Sequence, residues 1–197
     1  METSTAPTAK SLAIKYGLIW TGINLVVFLL VYYGIPQVMG TWMHSAIQFV
    51  VGIGLAIYFT LEIRKAIGGY WSFKEALKAI FIMFIIPSII MYFFSLAFGK
   101  WIEPEYASKV TEITLNATTE MMEKFTSDQD VIDEAIAETE KGLERQFNPG
   151  FGDMAKSLGI SILVYFVFAL IWAAIFKRDR PVFMPQQDDD EEAAQAE

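Results

Sequence analysis

Residues 16–61 carry no Asp, Glu, Lys or Arg, and two more uncharged runs follow, 79–99 between Lys78 and Lys100 and 157–176 between Lys156 and Lys177. An α-helix rises ~1.5 Å per residue, so about 20 apolar residues cross the ~30 Å hydrocarbon layer of a bilayer. The first run is long enough to cross twice and the others once each. The pattern therefore predicts four membrane-spanning helices, at about residues 16–38, 42–63, 76–99 and 157–176. Gly34, Pro36 and Gly40 mark a turn between the first two. A soluble domain would interrupt such runs at helical or alternating polar positions, and none is interrupted over a bilayer thickness. The expected fold class is all-α: an integral-membrane four-helix bundle in a single membrane domain, 1–180, followed by an acidic disordered tail, 181–197.

The connecting segments carry their own signals. Gly68 and Gly69 end the second span, and Ser72 with Glu75 three residues on makes a capping box that starts the third. Residues 100–156 form a helical extracytoplasmic insert between spans three and four. In it Tyr106, Val110, Ile113, Ala117, Met121 and Phe125 recur at three- and four-residue steps, the mark of an amphipathic helix. Ser127 or Asp128 caps a second helix carrying Ile132, Ile136, Leu143 and Phe147 on one face, and Asn148-Pro149-Gly150 stops it. The 105–147 helices are the one soluble surface on which a membrane-protein partner could dock.

Charge sets the expected orientation. With both termini inside, the cytoplasmic segments hold Lys10, Lys15, Arg64, Lys65, Lys74, Lys78, Lys177, Arg178 and Arg180. The basic residues of the outer side are spread over one long loop, so the positive-inside rule places both termini in the cytoplasm and 100–156 in the periplasm. Tryptophans fit the same frame as interfacial anchors, Trp42 and Trp101 at the outer boundary and Trp20, Trp71 and Trp172 near the inner one. The N-terminal apolar stretch is longer than a signal-peptide core and reads as an uncleaved first helix. The formal charge of −8 argues against nucleic acid as a partner.

Candidate chemistry is sparse. The chain has no cysteine and one histidine, His44, which has no second His or Cys with which to form a metal site. No HExxH, GxSxG or phosphate-binding loop occurs, and Glu103, Glu105 and Asp153 are the carboxylates left to an outer-loop site. No catalytic, cofactor or metal residue is expected, and no cofactor. Within the spans Asn24 is expected to dock against a ridge of small residues, Gly52, Gly54 and Ala56, pairing spans one and two. Pro87 withholds a backbone donor in mid-span three and is expected to kink it.

Gly-Tyr-Trp-Ser-Phe-Lys-Glu-Ala-Leu-Lys at 69–78, Glu103-Pro104-Glu105-Tyr106 after span three, the acidic helical insert and a last span ending in basic residues together resemble the domain-of-unknown-function family numbered 4199. The resemblance covers about residues 10–180 and implies a small four-span protein of a bacterial inner membrane, with no functional residues to carry over. Together with the absence of ionisable groups inside the spans, it favours a non-enzymatic component that binds lipid or protein partners, with the bilayer as first partner and a homo-oligomer as one assembly. A small transporter or channel component is the alternative, resting on Pro87 and the span-two glycines, and an integral-membrane enzyme stands behind both.

Overall fold

The structure, a computed structural model, describes residues 8–180; the acidic tail expected over 181–197 lies outside them. Within this range the chain is helical: α1 (Ala9–Gly34), α2 (Trp42–Ala66), α3 (Phe73–Ala97), α4 (Tyr106–Phe125), α5 (Gln129–Phe147) and α6 (Phe151–Phe176). A 3-10 turn, Pro36–Val38, follows α1, and a π-helical turn, Phe98–Ile102, extends α3. Helices α1, α2, α3 with its π turn, and α6 are each long and apolar enough to cross a membrane.

The helix ends show why they fall outside the uncharged runs. Thr8 caps α1, its hydroxyl accepting from the Ser11 N–H. The charged residues of the first two turns, Lys10 and Lys15 in α1 and Lys74 and Lys78 in α3, stay helical because long side chains carry their charges to water. The same reasoning lets α6 begin at Phe151, with Asp153 and Lys156 inside the helix. Span one instead ends earlier than 38, because Ile35 precedes a proline and leaves the helical region at φ −142°, ψ 59°. The Ser72–Glu75 capping box is present on α3, and Gly68 and Gly69 turn the chain at φ +94° and +86°, where a Cβ would strain the backbone.

Helix α3 is the centre of the assembly, packed against α1 on one side and α6 on the other. The α1–α3 seam is close because Ala13, Gly17 and Thr21, four residues apart, are all buried on one face of α1. A Cβ on Gly17 would lie 3.2 Å from the Ile86 Cβ, so only glycine accommodates that approach without displacement. Between helices in lipid, where apolar burial gives little net gain, such small residues let dispersion contacts form.

Helix α2 joins this core by its C-terminal half alone. Ala56, Phe59, Thr60 and Ile63 are buried, whereas Trp42, Ile47, Phe49 and Val50 of the N-terminal half are exposed. Its C-terminal end meets the end of α6 at a polar clasp. The Phe176 carbonyl accepts from the Trp71 indole Nε1 at 2.8 Å and from Arg64 Nη1 at 3.3 Å, and Trp71 and Arg178 exchange two main-chain bonds of 3.0 and 3.1 Å. The clasp satisfies a carbonyl that a helix end leaves without a donor.

At the opposite end, Tyr106 and Val110 of α4 close an aromatic cluster with Tyr32, Met39 and Phe98. The Tyr106 ring stands edge-on to Phe98 at 5.4 Å and to Phe147 of α5 at 5.4 Å, tying both insert helices to the spans. Burial pushes the Tyr106 phenol above its ordinary pKa. Beside it the Glu105 carboxylate holds the Lys109 ammonium at 3.0 Å and raises that amine.

Candidate functional site

One face of α3 carries Phe84, Pro87, Ser88, Met91, Ser95 and Leu96, at the three- and four-residue spacing that aligns side chains along a helix. Trp20 and Asn24 of α1 border this face on one side, Ser161 and Tyr165 of α6 on the other, and Gln146 of α5 completes the lining. They line a half-open cavity of about 420 Å³, within the ~300–1,000 Å³ range of small-ligand sites. No residue of α2 lines it, in keeping with the departure of that helix from the core above Ala56.

One end of the cavity is floored by aromatic rings. Trp20 and Phe84 meet edge-on at 5.9 Å, and Phe84 and Tyr165 lie 6.5 Å apart. Below the floor Ala76, Ala79, Ile80 and Met83 are 0–1% exposed, a dry layer that separates the cavity from a second one of about 540 Å³ near Tyr70, Glu75 and Arg180. The cavity is closed at that end.

Its chemistry is hydrogen-bonding without charge. Pro87 has no N–H to offer the Met83 carbonyl, which a regular helix would pair. Thr21, one turn from the cavity, returns its hydroxyl to the Gly17 carbonyl at 2.8 Å. The Asn24 amide and the Ser88 and Ser161 hydroxyls make no such bond to any described residue, so their capacity is directed into the cavity. Polar groups facing hydrocarbon without a partner are costly, and such groups in spans mark functional surfaces.

The residues singled out from the sequence fall in different places. Asn24 lines this cavity, facing α3 and α6. The small residues of α2 do not receive it: the nearest atom to a Cβ on Gly52 would be in the Trp20 ring, at 4.0 Å, Gly54 has nothing within 4 Å, and Ala56 is in the core. Pro87 is buried in the cavity wall, and α3 continues through it. Trp42, at the start of α2, and Trp101, in the π-helical turn after α3, are 74% and 75% exposed. Trp20 and Trp172 pack on Phe84 at 5.9 and 6.1 Å, and Trp71, 2% exposed, is enclosed by the clasp. Ser88, Ser95 and Ser161 stand out in the sequence among the few uncharged polar residues of the spans, and the two-turn spacing of Ser88 and Ser95 puts both on one face of α3; Tyr165 and Gln146 carry no such signal.

Among the described residues no three His, Cys, Asp or Glu side chains gather to hold a metal ion. Four helices long and apolar enough to cross a membrane, three of them around an uncharged polar cavity, are compatible with a multi-pass membrane protein. The chain belongs to the family described as protein of unknown function (DUF4199), whose model matches residues 15–178. Among curated proteins and solved structures no match was found.

Proposed function

We propose that this is a non-enzymatic component of a bacterial inner membrane that holds a lipid-like amphiphile in the cavity between α1, α3 and α6. In this reading the four apolar helices form a bundle with both termini in the cytoplasm, and α4 and α5 are a periplasmic insert. The excess of Lys and Arg beside the inner ends supports that orientation.

The observation that carries the reading is the pairing of unpartnered Asn24, Ser88 and Ser161 with a cavity from which α2 is absent. An uncharged amphiphile supplies both halves of what this surface offers: donors and acceptors for the amide and hydroxyls, and an apolar chain for Met91, Leu96 and the aromatic floor. The absence of Asp, Glu, Lys, Arg and His from the lining favours a neutral or zwitterionic head over a free ion. The closed end at Phe84 favours a held ligand over a conduit, and so over the transporter alternative.

Native mass spectrometry of the protein extracted in mild detergent tests the proposal. The wild-type chain should retain a bound lipid-sized adduct, and the double variant Ser88→Leu/Ser161→Leu, which fills and dries the cavity, should lose it. Equal retention by both would defeat the reading.

A further inference from the structure

We infer that the tip of the α4–α5 hairpin inserts into the membrane interface beside the spans, through Met121 and Phe125. The argument begins with levels along the bundle. Gly17 of α1 faces Ile86 of α3, and about three turns further out Phe28 meets Phe98 at 5.1 Å, so the two helices run parallel and in step. Phe59 of α2 meets Tyr16 and Trp20 of α1 at 5.1 and 6.0 Å. The start of α2 is therefore level with the end of α1, and Met39 and Gly40 lie at the outer ends of the spans.

Helix α4 touches two points at that level. Tyr106 lies against Gly99 in the last turn of the third span, with its Cδ1 3.1 Å from where a Gly99 Cβ would be. Eight residues on, ~12 Å along the axis, Thr114 Oγ1 sits where a Cβ on Gly40 would be. A helix that joins two points on the outer ends of different spans runs across those ends and not straight away from them.

The face in contact is then continued without cover. At ~100° per residue, Met121 and Phe125 lie within about 20° of Thr114 around the helix. Val110 and Thr114 rest on the spans, whereas Met121 and Phe125, ~10 and ~16 Å further along, are 43% and 81% exposed. Beyond Gly40 that face overhangs the lipid around α2, where Trp42, 74% exposed, marks the boundary. An amphipathic helix in this position buries its apolar face about 5–10 Å into the headgroup region. At the tip Glu120, Glu123, Asp128 and Asp130 outweigh the one cation, Lys124, so the contact is apolar rather than an attraction to anionic lipid, sustained because the spans hold the tip at the surface.

The absence of cysteine makes the test direct. Single variants Met121→Cys, Phe125→Cys and Asn116→Cys, each of the full chain, are spin-labelled in nanodiscs of zwitterionic lipid. Asn116 is exposed and lies about 180° from Phe125 around α4. Labels at 121 and 125 should collide several-fold more with oxygen than with a water-soluble nickel chelate, and the label at 116 should do the reverse. A label at 125 as open to the chelate as that at 116 would overturn the inference. So would dipolar broadening between labels, which would put a second copy where lipid is expected. The exposed sites tolerate cysteine without loss of packing, and unchanged α-helical circular dichroism checks this for each variant.

Discussion

The clasp on the last carbonyl of α6 gives a prediction with a worked magnitude. Trp71→Phe keeps a ring but removes the indole N–H that reaches the Phe176 carbonyl at 2.8 Å, leaving Arg64 at 3.3 Å as sole side-chain donor. A neutral hydrogen bond contributes about 0.5–1.5 kcal/mol net. Because Trp71 is 2% exposed, the smaller ring adds a cavity cost of about 1 kcal/mol, near the low end for deletions from packed sites. The expected loss is therefore about 2 kcal/mol. Arg64→Met removes a longer bond from a half-buried side chain and should cost about 0.5–1 kcal/mol. With both donors gone the carbonyl loses its last side-chain partner, and the penalty for an unmet buried acceptor, about 1–3 kcal/mol, appears only then. The double variant should exceed the sum of the singles by roughly 1 kcal/mol. The main-chain exchange between Trp71 and Arg178 persists in every variant and cancels. Equilibrium unfolding in mixed micelles, followed by circular dichroism, measures all four corners of the cycle. Strict additivity would show that the two donors do not share one acceptor, and the account of how α6 is held would fall.

Four further substitutions test other joints. Gly17→Leu forces a side chain into the α1–α3 seam, where even a Cβ would be 3.2 Å from Ile86, and should cost about 1–3 kcal/mol. Gly54→Leu, in open space, should be near neutral in the same unfolding assay. Gly40→Ala imposes a side chain at φ +74°, at about 1–2 kcal/mol, and collides with Thr114 Oγ1; limited proteolysis should then cut the loosened α4–α5 hairpin faster than in the wild-type chain. Thr60 is fully buried with an unpartnered hydroxyl, so Thr60→Val should leave stability unchanged or raise it by about 1 kcal/mol. A fall in the midpoint would mean that the hydroxyl has a partner.

The four apolar helices were legible because bilayer thickness imposes a length criterion that few other folds meet, and the insert helices because their apolar stripes keep a helical period. Helix pairing was less legible. Gly52, Gly54 and Ala56 attract attention as a cluster of small residues, but spacing by two places Gly52 and Gly54 on different sides of a helix. Ala13, Gly17 and Thr21, spaced by four, share one face and form the seam. Trp71 reads as a surface aromatic from its neighbours, Tyr70 and Phe73, because nothing local announces that a carbonyl 105 positions away will meet its indole. The cavity was the least legible feature. It requires Asn24, Ser88 and Ser161 to converge from three helices while a fourth departs, and sequence period describes one helix at a time.

The central claim is that the space between α1, α3 and α6 holds an amphiphile. A density map of the protein in native-lipid nanodiscs tests it most directly. The account predicts elongated non-protein density along Met91 and Leu96, with its polar end within hydrogen-bonding distance of Asn24 and Ser88. An outer half of α2 folded inward to fill that space, leaving no room for a ligand, would contradict it.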